Sequence, residues 1–243
     1  MCGFFYSCIF VASVAKKISI IIPTYNEAAS IARLVAYLQL YGKEKVAEII
    51  ISDGGSGDGT PAIAEQAGAV ALLSPQKGRA AQMNYGADKA TGNVLYFVHA
   101  DSFPPVNFAA DILEAVNKGF DFGRYRTRFD SNNFLLKINA WFTRFNWFIC
   151  FGGDQTLFVT KELFKQCGGF KSEFLIMEEY EFSDRLMKQY RYKIFADTAL
   201  VSARKYEGRS WLKVQLANRR AVQLFKNGAS QQEIVKTYKQ MLG

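Results

Sequence analysis

One histidine, His99, serves the whole 243-residue chain. That scarcity excludes every metal centre built on two imidazoles, and a Ser-His-Asp site survives only if His99 belongs to it. Cysteine is nearly as sparse. Cys2, Cys8, Cys150 and Cys167 form no C-x-x-C pair and no dense pattern, so a disulfide scaffold is excluded and a reducing, cytoplasmic setting is expected. Five prolines and no low-complexity tract exclude collagen-like and disordered compositions. No run reaches the roughly 20 apolar residues that span a bilayer. The nearest approach is MCGFFYSCIFVASVA, with about 12 apolar positions and no basic residues ahead of it. It is read as an apolar N-terminal extension, residues 1–16, rather than as a signal peptide or a span.

What is present is a globular composition, 49% hydrophobic and 21% charged, with a formal charge of +8. The positive charge is concentrated in residues 201–243, where nine Lys and Arg face only Glu207 and Glu233. Such a tail suits an anionic membrane surface or a phosphorylated substrate, and it also suits a solvated helix face. No RNA- or DNA-reading motif accompanies it, so nucleic acid is not an expected partner.

Hydrophobic patterning predicts alternating strands and helices. Lys17–Ile22 is a β-branched strand ended by Pro23, and Ile31, Leu34, Val35 and Leu38 share one face of a helix that stops at Gly42. Ala47–Ser52 is a second strand, followed by DGGSGDG (53–59) and a helix with Thr60 as N-cap and Pro61 at its first position. Val70–Leu73, a helix over 78–90 and Val94–Val98 complete a β-α-β-α-β-α-β series, which implies a mostly parallel, doubly wound α/β sheet. Further helices are expected to about Lys118, over the aromatic-rich stretch 132–149, over 161–167 and over Glu178–Gln189. Strands are expected over Phe120–Phe129, Asp154–Val159 and Tyr192–Ala196. Two basic amphipathic helices follow from about residue 208, and the absence of a linker implies one domain over 17–243 with a C-terminal helical subregion.

In an open parallel sheet, ligands bind beyond the carboxyl ends of the strands. Four loops lie there: Pro23–Glu27, Asp53–Asp58, Pro75–Arg79 and His99–Asp101. DGGSGDG is neither a Walker loop nor G-x-G-x-x-G, and Ala64 at the twelfth position excludes a calcium hand. Its glycines let a ligand approach the backbone, and Asp53 can accept from a ring N–H or a ribose hydroxyl; the alternative is a capped glycine turn. Lys77 and Arg79 can meet a diphosphate or stand as surface charges. His99 and Asp101, at i and i+2 on a strand end, would share a face and hold one divalent cation. Oxygen ligands suit Mg²⁺ or Mn²⁺, and an imidazole favours Mn²⁺. The alternative is a core histidine. Glu178 and Glu179 open a helix, where one can act as general base or both can simply complement the helix dipole. Phe151–Gln155, with Asp154, reads as a turn or as an acceptor-binding corner.

These segments occur in an order that resembles a known family. IIPTYNEA (21–28), SDGGSGDGT (52–60), FVHADS (97–102), GDQTLFV (153–159) and MEEYEFSDRL (177–186) are similar to the family 2 glycosyltransferases of GT-A fold. GRAAQMNYGA (78–87), HADS, GDQ and SARKYE (202–207) narrow the resemblance to the small bacterial arsenosugar-biosynthesis or radical-SAM/selenodomain-associated transferases. It covers about residues 17–228.

The resemblance implies that Pro23, Tyr25 and Glu27 line a nucleoside pocket, that Asp53 binds the base, and that Arg79 sits near the nucleotide. It places Asp101 on the last Asp of a D-x-D metal motif, with His99 in place of the first, and Mg²⁺ or Mn²⁺ as cofactor. It places Glu179 on the Asp of the E-D pair that supplies the base, with Glu178 and Asp154 on the acceptor side. His for Asp and Glu for Asp are departures that bear on metal choice and activity. Q-x-x-R-W is absent, so one sugar per encounter is expected, by inverting transfer from a UDP- or GDP-linked donor to an unidentified hydroxyl.

Two other readings stand beside this one. A membrane-surface transferase acting on a polyprenyl phosphate at the inner face of the membrane would use the apolar N-terminus, the aromatic stretch and the basic tail; those aromatics also suit a core or a homodimer face. A non-catalytic sugar-nucleotide-binding homologue would account for the substitutions at His99 and Glu179.

Overall fold

A computed structural model describes residues 15–147 and 155–243. The chain runs β1 (Ile18–Thr24), α1 (Ala28–Gly42), β2 (Val46–Asp53), α2 (Thr60–Gln66), β3 (Val70–Leu73), α3 (Arg79–Lys89) and β4 (Val94–Phe97). A two-residue strand β5 (Ser102–Phe103), α4 (Phe108–Asn117), β6 (Phe122–Phe129) and α5 (Phe134–Phe142) follow. Then come β7 (Leu157–Thr160), α6 (Lys161–Gln166), α7 (Glu178–Leu186), β8 (Tyr192–Val201), α8 (Trp211–Lys226) and α9 (Gln231–Leu242). The eight strands among the described residues join one sheet in the order β3-β2-β1-β4-β7-β6-β8-β5. β1 is parallel to β2 and β4, and β2 is parallel to β3; β7 runs antiparallel to both β4 and β6.

The apolar runs of β1, β2 and β4 are continuous because both faces of the sheet are covered. Successive side chains alternate between the faces. Ile20, Ile22, Ile49, Ile51 and Tyr96 pack under α1, α2 and α4, whereas Ile21, Ile50, Leu95 and Phe97 pack under α3, α6 and α7. On α1, Ile31, Leu34, Val35 and Leu38 are fully buried, each contributing roughly 1.5–3 kcal/mol of transfer free energy. A smaller core of Ala221, Leu224 and Ile234 closes the α8–α9 hairpin, and Ile176, just before α7, packs on it. No helix among the described residues is long and apolar enough to cross a membrane.

Several expectations change in detail. Pro23 lies inside β1 rather than after it, which is tolerated because the β1–β4 register ends at Ile21–Phe97. Thr60 is the first residue of α2, not its cap; Gly59, in the left-handed region at φ 85°, precedes it, and Asp58 Oδ1 accepts from Thr60 N at 3.1 Å. β4 ends at Phe97, and the chain turns at 99–102 with Ser102 N donating to His99 O at 3.0 Å. His99 and Asp101 therefore do not sit on one strand face, and the shared-face argument for a joint metal site falls with that turn. The aromatic helix is shorter than 132–149, spanning Phe134–Phe142, and β7 begins at Leu157. Asp154 and residues 1–14 lie outside the described residues.

Candidate active site

Because β1, β2 and β4 are parallel, their carboxyl ends open on the same edge, and the loops that follow them are laced together there. Asn26 adopts φ 56°, a left-handed conformation to which Asn is better suited than most residues. Its backbone N donates to Ser56 Oγ at 2.8 Å, and its side chain accepts from Gly57 N at 3.0 Å. Glu27 N donates to Thr60 Oγ1 and Ala28 N to Asp58 Oδ2. Gln82 of α3, almost fully buried, donates through Nε2 to Thr24 O at 2.7 Å and Ser52 O at 2.8 Å. It ties together the ends of β1 and β2.

Asp53 anchors the glycine loop. Its Oδ1 accepts from Gly55 N (2.8 Å) and Ser56 N (2.7 Å), and its Oδ2 from Ser56 Oγ (2.6 Å) and Thr24 Oγ1 (2.8 Å). Burial by itself would raise its pKa, but these four donors override burial and hold the carboxyl below its ordinary value. Four donors fill the lone-pair sites of a carboxylate, so a base N–H reaches Asp53 only if one of them, the rotatable Ser56 hydroxyl, gives way. Tyr25 is 57% exposed at the rim. Pro23 is half-buried.

The second half of the site comes from α7. Met177 enters that helix in the left-handed region at φ 70°, and the two carboxylates that follow are buried, Glu178 at 1% and Glu179 at 6% exposure. A bulky residue held in that conformation is strained, which is common where a chain is bent to present functional groups. Glu178 Oε1 pairs with Arg79 Nε from the first turn of α3. Glu179 Oε1 meets His99 Nε2 at 3.1 Å. The remaining Oε2 atoms of Glu178 and Glu179 are buried without a hydrogen-bond partner. Burial raises the Glu179 carboxyl, and on His99 the charge and hydrogen bond of Glu179 outweigh burial, which by itself would lower the imidazole, and raise it.

The structure thus brings His99 to Glu179, a pairing invisible in the spacing of the sequence. Asp101, one-third exposed, stands 3.7 Å from Arg204 Nη2, and the same guanidinium lies 3.1 Å from Glu27 Oε1. Arg204, within the SARKYE segment, was not singled out from sequence. Lys77 is exposed, as a surface charge would be. Among the described residues no three His, Cys, Asp or Glu side chains form a metal-binding group. A single carboxylate nevertheless fits a hard divalent cation whose other ligands are phosphate oxygens and water, the usual arrangement for Mg²⁺.

Residues 19–172, well over half the chain, match the family described as Glycosyl transferase family 2. The chain belongs to that family. Its fold is shared with a mannosyltransferase from Pyrobaculum calidifontis in complex with GDP-Man and Mn²⁺ (20% identity, TM-score 0.64, covering 95% of this chain and 69% of that one). It is shared also with glucosyl-3-phosphoglycerate synthase from Mycobacterium tuberculosis in complex with Mn²⁺, UDP-glucose and phosphoglyceric acid (15% identity, TM-score 0.59, covering 88% and 80%). By sequence the family 2 chain is 30% identical over 115 residues to undecaprenyl-phosphate 4-deoxy-4-formamido-L-arabinose transferase of Aeromonas hydrophila, covering 44% of this chain and 35% of that protein. Its matches span about a third of the length of the curated relatives.

Proposed function

We propose that this family 2 protein transfers one sugar from a nucleoside-diphosphate sugar to an acceptor hydroxyl by single displacement with inversion. The observation that carries this reading is Glu179: buried, oriented through Oε1 by His99, and left with Oε2 unpartnered. That is the geometry of a general base held by an orienting partner. The acceptor oxygen would attack the anomeric carbon as the bond to the diphosphate breaks, and its proton would pass to Glu179 Oε2.

The donor would lie along the edge formed by the loops after β1, β2 and β4. Tyr25 would offer its exposed ring to the base, with Pro23 and Glu27 lining the same pocket and the Asp53 loop supplying polar contacts. Arg79, at the N-terminus of α3, would stand near the diphosphate, where helix dipole and guanidinium act in the same sense. Asp101 would hold Mg²⁺ or Mn²⁺ together with donor phosphate oxygens, and such an ion supplies charge neutralisation for the departing diphosphate. UDP- and GDP-linked donors are both compatible with the fold neighbours. The resemblance to the arsenosugar-associated subgroup narrows this proposal, and the absence of Q-x-x-R-W supports a single transfer per encounter.

Glu179→Gln tests the base assignment. Transfer should fall by roughly 10²–10⁴-fold with nucleotide binding unchanged, and near-normal turnover would refute it. A second reading, a polyprenyl phosphate acceptor at a membrane surface, draws on the exposed side chains of Phe134, Trp141, Phe142 and Trp147. Co-sedimentation with anionic liposomes supports that reading, and a protein that stays in the supernatant sinks it.

A further inference from the structure

A cavity of about 420 Å³ lies between the start of α7 and the α8–α9 hairpin. Glu178 and Glu179 form one part of its wall, and Lys205, Asn218, Val222 and Tyr238 form another. Arg79 also lines it, whereas Glu27, Asp53 and Asp101 do not, so the cavity borders the donor edge at Arg79. Its volume is near the lower end of the roughly 300–1,000 Å³ typical of small-molecule sites.

The wall is built rather than incidental. Gln231 of α9 accepts through Oε1 from Leu175 N (3.1 Å) and Ile176 N (3.3 Å), which fixes the hairpin on the segment entering α7. Asn218 Oδ1 accepts from Lys205 Nζ (3.3 Å) and from the Tyr238 hydroxyl (3.0 Å), joining the 204–206 turn to α8 and α9. Two of the side chains that line this cavity are more than nine-tenths buried, each with a carboxylate oxygen that no described group satisfies. Buried acceptors left unpaired are costly and rare, so such a pair points to donors that a ligand brings. A carboxylate or fully ionised phosphate ligand offers these two oxygens no donor, and the cations of the wall are already engaged, Arg79 by Glu178 and Lys205 by Asn218. Hydroxyl groups supply what is missing.

We infer that this cavity is the acceptor pocket and that it takes a small polyhydroxylated molecule, with hydroxyls donating to Glu178 Oε2 and Glu179 Oε2 and the Asn218–Tyr238–Lys205 group contacting its other polar atoms. The inference rests on the transferase reading for the word acceptor, and the pocket's ligand class stands on the geometry alone. It places specificity for the acceptor in the C-terminal hairpin, outside the matched family region 19–172.

The test is ligand-observed NMR on the full chain with glycerol, methyl α-D-glucopyranoside and inositol as polyol probes and undecaprenyl phosphate in micelles as the contrasting arm, alongside calorimetry with UDP and GDP. At least one polyol should bind the wild type. Val222→Trp, which fills the cavity, should weaken that binding at least tenfold and leave nucleotide affinity within twofold. Asn218→Leu serves the same purpose should the tryptophan variant fail to fold. No polyol binding at millimolar probe, polyol binding unchanged in the filled variants, or binding of the lipid phosphate in place of polyols would each overturn the inference. Loss of nucleotide binding with polyol binding intact would instead count against the transferase reading and leave the pocket standing.

Discussion

Replacing Asp53 by Asn isolates charge from shape in the donor loop. The amide keeps one oxygen for the N–H groups of Gly55 and Ser56, and its NH₂ would face the hydroxyls of Thr24 and Ser56, which can rotate to accept. The Thr24 and Ser56 hydroxyl protons lose their acceptor, and the N–H groups of Gly55 and Ser56 lose the extra strength of bonds to a charged one. Hydrogen bonds to ionised groups are about twice as strong as neutral ones, and over four bonds, less the desolvation that the neutral amide avoids, the cost is about 2–3 kcal/mol. The pH dependence has a definite sign. The Asp53 carboxyl is held below its ordinary value, so its stabilisation is complete above about pH 4 and fades as pH falls through the folded value. Urea unfolding of wild type and Asp53→Asn at pH 7, 5, 4 and 3 should show a gap of about 2–3 kcal/mol that is constant down to pH 5 and narrows at pH 4 and below. A gap under about 0.5 kcal/mol at pH 7, or one that stays constant to pH 3, would refute the claim that ionised Asp53 holds this loop.

Gln82→Met keeps the side chain's length but removes the two donors to Thr24 O and Ser52 O; chemical denaturation should show a loss of about 2 kcal/mol, and nucleotide titration should show weaker binding because the loops after β1 and β2 lose their tie. Gly123→Ala would drive a Cβ into the Lys193 carbonyl and the Phe158 ring, so a thermal melt should show a loss of at least about 1–3 kcal/mol. An unchanged melting temperature would mean that β6 and β8 can separate freely. Arg204→Ala removes an ion pair whose guanidinium side is 57% exposed, and its effect on unfolding should stay below about 1 kcal/mol.

Much of this protein was legible in its residues. The β-branched runs 17–22 and 47–52, which fall within β1 and β2 to a residue or two, and the 3.6-residue spacing of Ile31, Leu34, Val35 and Leu38 are local signals, because a strand or helix buries the same face wherever it packs. The alternation of those elements dictates the parallel half of the sheet, and Asp53, Arg79, Asp101 and Glu179 stand in segments that the sequence itself marks. Tertiary structure decided how they combine. The turn at 99–102, closed by Ser102 N on His99 O, sets His99 and Asp101 off any strand face, and hydrophobicity does not reveal where a strand gives way to such a turn. His99 and Glu179 lie 80 positions apart, as their hydrogen bond records, and neither periodicity nor spacing relates residues so distant. The placement of Arg204 against Glu27 and Asp101, and the cavity beneath α8 and α9, depend likewise on where the C-terminal segment packs. Local chemistry determined which side chains were available; the packing of helices on a shared sheet determined which of them meet.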